Sequence, residues 1–258
     1  MELLENIKVC AKTDFGLNRK NNEDSYLIVD HTKKGYDTLS RGMIFAVADG
    51  MSGHTGGAKA SHMACEVLLE YYTEKISVIE DQSLTESMLG LLEKVIRNTH
   101  REIHRYAEEN DGYERMGTTL SVLVLVSDEA LLAHVGDSRI YRLRDNYLEQ
   151  LTEDHTMAQL SVEMGYLEQA EATNHPLRHV LMEAIGQELD EVQTRIEKVR
   201  AGDIFLLCSD GLHHMLSDDE IKEILRGNPV NYGACDQLVQ EALDKGGKDN
   251  VTVIVVRV

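Results

Sequence analysis

The stretch TLSVLVLVSDEALLAHV, residues 119–135, decides the fold. It holds two apolar runs, residues 119–126 and 130–135, separated only by Ser127, Asp128 and Glu129. Short apolar runs bounded by turn residues indicate strands, and so short a connection predicts an antiparallel hairpin. Similar runs predict strands over residues 43–48, 140–143, 203–208 and 251–256. We expect residues 139–143 to continue the meander that the hairpin begins.

Two long helices are predicted before the hairpin. Over residues 57–72, apolar side chains recur at helical spacing. The second helix opens at a capping box from Ser83 to Glu86 and presents one apolar face as far as Ile103. Shorter helical patterns follow at about residues 157–164, 217–225 and 235–243. Strands and helices in this order favour a layered α+β fold, with sheets covered by helix pairs, over a parallel βαβ arrangement.

Composition favours one domain over residues 1–258. The 258 residues are 42% hydrophobic, with two prolines and no low-complexity linker. The chain has 26 basic and 45 acidic residues and a net charge of -19, which disfavours binding to nucleic acid or anionic lipid. A solubilising acidic surface explains most of this charge, and bound divalent cations would neutralise a part of it.

The cysteines and the N-terminus point to a cytoplasmic protein. Cys10, Cys65, Cys208 and Cys235 show no Cys-x-x-Cys spacing, so we expect neither a zinc knot nor a disulfide framework. Cys208 lies in the apolar run IFLLC and reads as a buried hydrophobic residue. No signal peptide and no run of about 18 apolar residues is present, so we expect no membrane insertion.

Several acidic residues stand at the ends of predicted strands. Asp49 and Asp210 each end an apolar run and precede a glycine, which permits a sharp turn and close approach to the backbone. Asp137 follows the second hairpin strand, and Asp249 precedes the last predicted strand. Each alone is most simply an ordinary turn. Their recurrence favours a site where several carboxylates converge.

Converging carboxylates repel one another unless cations lie among them. Oxygen ligands select Mg²⁺ or Mn²⁺ over zinc, and two such ions activate water for attack on a phosphoryl group. Arg19 would then bind phosphate through its planar guanidinium.

Two histidine pairs are candidates for further sites. His100 and His104 lack the glutamate that a zinc-protease helix places after its first histidine, so we expect them to be solvated. His213 and His214 follow the Asp210 turn, and we interpret them as packing residues with a functional alternative kept open.

Eight blocks of sequence, in order, carry a specific resemblance. They are TDFGLNRKNNEDS (13–25), FAVADGMSGH (45–54), MGTT (116–119), HVGDSR (134–139), LTEDHT (151–156), HPLRHVL with AIG (175–186), CSDGL (208–212) and GKDNVTVIVV (247–256). The set resembles the metal-dependent PPM or PP2C-type serine/threonine protein phosphatases in their compact bacterial form.

The resemblance implies a fold and a set of roles. The fold would be a four-layer αββα sandwich, with two antiparallel sheets flanked by helix pairs. Two or three Mn²⁺ or Mg²⁺ ions would be bound. The family implies a role for each candidate residue. Asp49 would bridge two ions, with the Gly50 carbonyl on one of them and Asp210 and Asp249 on the other. Glu23 would hold an ion through water, Asp137 with Asp210 would form a third site, and Arg19 would bind the substrate phosphate.

The sequence also departs from the family pattern. Met51 stands where animal members have a histidine as a possible general acid, and methionine donates no proton. Ser52 replaces a common glycine, Ala58 a common glutamate and Glu183 a common arginine. Residues 153–184 would form a flap that moves over the substrate, although packing alone also explains them.

Three functions compete at this stage. The first is a phosphatase that removes phosphate from serine and threonine in proteins and opposes a bacterial-type Ser/Thr kinase, acting as a monomer. The second keeps the chemistry but acts on an anti-sigma-factor antagonist. The third, a catalytically silent binding module, is disfavoured because Arg19, Asp49, Asp210 and Asp249 are all retained.

Overall fold

The computed structural model describes residues 2–4, 6–51, 56–76, 83–173, 175–228 and 233–258. In chain order the strands are β1 (Lys8–Asp14), β2 (Asp24–Val29), β3 (Met43–Asp49), β4 (Leu120–Val126), β5 (Glu129–Val135), β6 (Arg139–Arg144), β7 (Tyr147–Gln150), β8 (Gln193–Lys198), β9 (Ile204–Cys208) and β10 (Val251–Arg257). The α-helices are α1 (Thr38–Arg41), α2 (Gly57–Val67), α3 (Leu84–Glu109), α4 (Met157–Glu163), α5 (Gln169–Ala172), α6 (Asp210–His213), α7 (Asp218–Gly227) and α8 (Gly233–Asp244).

The strands form two antiparallel sheets of five strands each. The first sheet has the order β1-β10-β9-β6-β7, and the second has the order β2-β3-β4-β5-β8. The predicted hairpin is the β4–β5 pair, in which Val126 faces Glu129 across the turn. All six strands predicted from apolar runs are present.

Three apolar cores make the molecule a stack of four layers. Between the sheets, Phe45 of the second sheet lies in one buried cluster with Phe205 of the first. Helices α2 and α3 bury residues such as Ala64 and Leu92 against the second sheet. Helices α7 and α8 bury residues such as Leu225 and Leu238 against the first. The predicted α+β fold, an αββα sandwich, is confirmed.

Local sequence explains why the long helix begins where it does. The Ser83 hydroxyl accepts a hydrogen bond from the Glu86 N–H, and the Glu86 carboxylate accepts one from the Ser83 N–H. This is the predicted capping box. The predicted helix over residues 57–72 is also present, as α2 continued by a 3₁₀ helix over Leu68–Tyr72.

The predicted meander is wrong at its third strand. β5 pairs with β4 and β8, whereas β6 lies in the other sheet between β7 and β9. The crossing occurs at Gly136, whose φ is +106° and where a Cβ would lie 2.6 Å from the Thr119 side chain. A left-handed backbone in so tight a space requires glycine. The chain therefore leaves the second sheet at the turn that carries Asp137.

The prediction of no disulfide is also wrong. Cys10 in β1 and Cys235 in α8 form a disulfide across 225 residues of sequence. Spacing along the chain could not reveal it, because the pair meets only when α8 packs on the first sheet. Cys65 and Cys208 are free and buried, which agrees with the interpretation of Cys208 as a buried hydrophobic residue. In the described part of the chain, no helix is both long enough and apolar enough to cross a bilayer.

Candidate metal centre

The strand-end aspartates converge at one edge of the sandwich. Asp49 ends β3, and Asp210 begins α6 directly after β9. Asp249 lies just before β10, which neighbours β9 in the first sheet. Asp137 follows β5 at the crossing between the sheets. The negative charges of Asp210, Asp137 and Asp249 all act on the Asp49 carboxyl.

This convergence shifts the acidity of the carboxyls in opposite directions. Burial, and then the charges of the neighbouring carboxylates, raises the pKa of Asp49 well above its ordinary value. Burial would also raise the pKa of Asp210, but the hydrogen bond and charge of His214 outweigh it, so the pKa of Asp210 is lowered. The two pKa values shift in opposite directions because Asp49 faces carboxylates, whereas Asp210 faces imidazoles. Asp49 is therefore the weaker acid of the two carboxyls, and a nearby cation would favour its ionised form.

A further carboxyl, that of Asp24, belongs to this cluster and was not predicted. Asp24 begins β2 and is the cross-strand partner of Asp49 in the β2–β3 pair. Its Oδ2 accepts a hydrogen bond from the Ser209 hydroxyl at 2.8 Å. Burial raises the pKa of Asp24 to about 7. Asp24 stands in the quoted block TDFGLNRKNNEDS, and its position next to Glu23 was the available signal.

Asn250 is a second residue that sequence reasoning missed. It is buried, and its Oδ1 accepts a hydrogen bond from the Glu23 N–H at 2.8 Å. Its Nδ2 donates to the carbonyl oxygens of Phe15 at 3.0 Å and Asn21 at 2.9 Å. Asn250 thus fixes the loop that carries Arg19 and Glu23 against the end of β10.

The donor set fits hard divalent cations. Asp24 Oδ1 and Asp210 Oδ1 are buried and have no hydrogen-bond partner. An unpartnered buried carboxylate oxygen is costly, and a cation removes that cost. The nearby donors are mainly carboxylates, which suit Mg²⁺ and Mn²⁺. Close packing fixes Gly50 here, since a Cβ would lie 2.3 Å from the Gly57 carbonyl oxygen and 2.5 Å from that of Glu23.

Arg19 lies at this centre and is paired with Asp249. Its guanidinium Nη2 donates to Asp249 Oδ2 at 2.6 Å, with side-chain exposures of 36% and 28%. This hydrogen bond raises the pKa of Arg19. Carboxylate oxygens of Asp49, Asp210 and Asp249 do not all come within 4.8 Å of one another in this arrangement. A cation bound by all three would therefore require these carboxylates to move closer together.

Asp137 is held through its backbone. His213 Nε2 donates to the Asp137 carbonyl oxygen at 2.9 Å, and both residues are buried. Burial, followed by the charge of Asp210, raises the pKa of the Asp137 carboxyl well above its ordinary value. His213 therefore supports the turn that presents Asp137, which agrees with its interpretation as a packing residue.

The other predicted histidines fall in two different places. His214 Nδ1 lies 3.2 Å from Asp210 Oδ2, at the centre. His100 is half-buried rather than fully solvated, and its Nδ1 accepts a hydrogen bond from the Gly186 N–H at 3.2 Å. Among the described residues, neither His100 nor His104 belongs to a group of three side chains that could hold a metal ion.

Comparison with known proteins decides the family. The sequence profile described as protein phosphatase 2C matches residues 20–244. The chain belongs to the protein phosphatase 2C family. It is 35% identical to the serine/threonine phosphatase stp of Listeria innocua, over 95% of this chain and 93% of that protein. It is 36% identical to the serine/threonine protein phosphatase PstP of Mycobacterium tuberculosis, over 98% of this chain and 45% of that protein.

Solved structures of PP2C-family phosphatases show the same fold. The crystal structure of the Mycobacterium tuberculosis phosphatase PstP/Ppp has a TM-score of 0.83 and 34% identity, covering 98% of each chain. The catalytic domain of PstP in complex with two manganese ions has a TM-score of 0.77 and 33% identity, covering 97% of each chain. A PP2C-fold relative with two manganese ions agrees with the oxygen-rich donor set described above.

Two departures from the PP2C pattern now have a structural setting. The Met51 N–H donates to the Gly117 carbonyl oxygen at 3.0 Å, which fixes the backbone directly after Gly50. The Met51 side chain has no ionisable proton. Glu183 Oε2 accepts a hydrogen bond from the Asp190 N–H at 2.8 Å and so closes the turn that follows the flap. Ala58 lies in α2, and Ser52 lies outside the described residues.

Proposed function

We propose that this chain is a serine/threonine protein phosphatase that hydrolyses phosphoserine and phosphothreonine in proteins with two or three Mn²⁺ or Mg²⁺ ions. The observation that carries the proposal is the convergence of Asp49, Asp137, Asp210 and Asp249 at one edge of a PP2C sandwich. Relatives named as serine/threonine phosphatases support it, and they do not favour the anti-sigma-factor antagonist as substrate. Retention of the aspartates opposes a silent binding module.

In this proposal the chain's residues hold the ions and position the substrate. Asp49 would help to hold both ions, the Gly50 carbonyl oxygen would hold one of them, and Asp210 and Asp249 would hold the other. Glu23 would hold an ion through water, and Asp137 with Asp210 would hold a third. When bound, the ions supply Lewis acidity and activate water for attack on phosphorus. The guanidinium of Arg19 holds phosphate oxygens in a planar fork. The side chain of Met51 supplies no proton to the leaving group.

Residues 153–184 are proposed to form a flap over the substrate. This segment contains α4 and α5, which are short helices joined by loops. Its large side chains Met164 and Tyr166 are 59% and 78% exposed. Exposed apolar side chains suit contact with a protein substrate.

Metal dependence and two aspartate variants test the proposed activity. The purified chain is expected to release phosphate from a phosphothreonine peptide with Mn²⁺ or Mg²⁺ and to lose this activity after exhaustive chelation. Asp49→Asn and Asp210→Asn should each lower kcat by at least about a hundredfold, because each removes charge stabilisation at the reacting centre. Asp236→Asn is the matched control, since Asp236 is exposed on α8 and pairs with Lys12. Full activity in the chelated protein, or in either site variant, contradicts the proposal.

We further propose that the protein acts as a monomer in the cytoplasm and opposes a Ser/Thr kinase. The names of the relatives support action on phosphoproteins. In a reducing cytoplasm the Cys10–Cys235 pair would be kept as thiols. A comparison of phosphoproteomes from cells with and without the protein tests the kinase link. Kinase substrates with unchanged phosphorylation in the deleted strain would contradict it.

A further inference from the structure

Three side chains beside the aspartate centre form a cluster of different chemistry. They are His179, from the 3₁₀ helix Pro176–His179 of the flap, Asp210, and His214, which directly follows α6. One ligand atom from each lies within 4.8 Å of the other two. Among the described residues, this is the one group of three or more His, Cys, Asp or Glu side chains that comes so close together.

The local fold holds two of the three ligands together. The His214 N–H donates to the Asp210 carbonyl oxygen at 2.9 Å, so the two residues lie one helical turn apart and share a face. As a result, His214 Nδ1 lies 3.2 Å from Asp210 Oδ2. The other oxygen, Asp210 Oδ1, is buried and has no partner. Asp210 can thus offer Oδ1 to the aspartate centre and Oδ2, which lies beside His214, to this cluster.

The third ligand comes from the flap. The His179 ring packs edge-on against the His214 ring, with centroids 4.5 Å apart and planes at 73°. His179 is exposed, so an ion can reach the cluster from solvent. The neighbouring His213 does not take part through its Nε2, which donates to the Asp137 carbonyl oxygen. The cluster therefore connects the flap to α6 through two imidazoles.

Ligand chemistry separates this cluster from the aspartate centre. Mg²⁺ prefers oxygen ligands, whereas imidazole suits zinc and the other later divalent ions of the first transition row. We propose that His179, Asp210 and His214 form a separate binding site for such an ion, with Zn²⁺ as the test case. Occupancy of this site joins the flap to α6. The role proposed for Asp137 with Asp210 uses oxygen ligands and is a different site.

One contact competes with the proposed ion. Arg178 Nε donates to His179 Nε2 at 3.0 Å and places a positive charge beside the cluster. An ion on His179 Nε2 would displace this donor, and an ion on Nδ1 would still be repelled by the charge. Arg178→Ala is therefore expected to bind Zn²⁺ more tightly than the wild type does.

The test measures Zn²⁺ binding to the full chain in excess Mg²⁺, which competes with Zn²⁺ at sites made of oxygen ligands alone. Equilibrium dialysis gives affinity and stoichiometry, and zinc-edge X-ray absorption counts the imidazole ligands. The wild type should bind one Zn²⁺ with two imidazoles. His179→Ala and His214→Ala should each weaken binding more than about tenfold, the least that loss of even an outer partner costs a metal site. Each variant should also lose one imidazole from the spectrum.

A matched control lies in the same flap. His175 caps the 3₁₀ helix by accepting a hydrogen bond from the Leu177 N–H at 3.2 Å, and His175→Asn keeps an acceptor there. This variant removes one flap histidine and should bind Zn²⁺ as the wild type does. Equal Zn²⁺ affinity in all variants, a spectrum without imidazole, or equal loss in His175→Asn would each overturn the proposal. Because the measurement is of binding, it stands independently of phosphatase activity.

Discussion

Arg19 and Asp249 form an ion pair at the centre, and the separate roles proposed for them would break this pair. Asp249 Oδ2 accepts the Arg19 guanidinium at 2.6 Å, and its Oδ1 accepts the Asn250 N–H at 2.9 Å. A cation that binds Asp249 Oδ2 would compete with Arg19 for that oxygen. In the proposed roles, the released guanidinium would then bind phosphate. Cation binding and phosphate binding would thus be coupled through this one ion pair.

Arg19→Ala is predicted to separate these two effects. KM for a phosphothreonine peptide should rise roughly tenfold or more, because a hydrogen bond to a charged group contributes about 1.5–3 kcal/mol. The affinity for Mn²⁺ should stay equal or increase, because Asp249 no longer has a competing partner. Steady-state kinetics at varied substrate and varied Mn²⁺ measure both quantities.

Two further variants complete this test. Arg19→Lys keeps the charge but loses the planar fork, so its KM should fall between those of the wild type and Arg19→Ala. Arg226→Ala removes an exposed arginine of α7 and should behave like the wild type. If Arg19→Ala leaves KM unchanged or weakens Mn²⁺ binding, the residue positions Asp249 instead of binding phosphate.

At the residue scale, the sequence predicted which carboxylates converge but not all of their partners. Asp49 and Asp210 were found because each ends an apolar run and precedes glycine. Asp24 was missed because it reaches the centre through pairing with Asp49 across β2 and β3, and β2 itself was not predicted. No role was predicted for Asn250 from the sequence, because three of its four hydrogen bonds reach residues more than 200 positions away along the chain. The fourth is to its neighbour Asp249.

The flap is an element closed by its own two ends. The Met157 N–H donates to the Val180 carbonyl oxygen at 2.9 Å, and the Met182 N–H donates to that of His155, also at 2.9 Å. Between these bonds, Thr156 forms an isolated bridge with Leu181. We propose that a segment closed at its base in this way opens as a unit, without disturbing either sheet.

Thr156→Val is predicted to loosen the flap alone. The Thr156 hydroxyl caps α4 by accepting the Gln159 N–H at 3.3 Å, and valine keeps the shape but not the acceptor. Loss of a cap costs about 0.5–2 kcal/mol. Hydrogen exchange at Met157 and Met182 should accelerate, with little change in exchange within β4.

Ser217→Ala is the matched control for that variant, because Ser217 caps α7, a helix that is not part of the flap. Its exchange should accelerate in α7 and not in the flap. Unchanged exchange in the Thr156→Val flap, or equal acceleration throughout the molecule, would contradict a flap that opens as a unit.

Edge position explains which elements the sequence did not predict. The missed strands are β1, β7, β2 and β8, and these are the edge strands of the two sheets. Edge strands are covered less completely, and their residues here are mostly half-buried or exposed, so they carry no continuous apolar run. The six central strands were all predicted because both of their faces are buried. The crossing of β6 to the other sheet was missed because an apolar run does not specify its partner strand.

At the scale of the whole molecule, the two ends of the chain lie side by side. β1 pairs with β10 along its whole length, from Lys8 opposite Arg257 to Asp14 opposite Val251. The Cys10–Cys235 disulfide adds a covalent link between β1 and α8 across 225 residues of sequence. The sandwich was predicted from family resemblance, whereas this link depends on packing between the first strand and a late helix and has no local signal.

Reduction of the disulfide is predicted to lower stability without removing the fold. A link that closes so long a loop restricts the unfolded chain, and in the chain-entropy treatment this contributes up to roughly 5 kcal/mol. The hydrogen bonds between β1 and β10 remain after reduction, so the metal centre should persist and phosphatase activity should be retained at 25 °C. Guanidinium denaturation with and without dithiothreitol should show a lower midpoint for the reduced wild type.

Cys10→Ser should match the reduced protein and not respond to dithiothreitol, because Cys65 and Cys208 are free in both forms. Equal midpoints for the oxidised and reduced wild type would mean that the β1–β10 pairing alone holds the ends of the chain together.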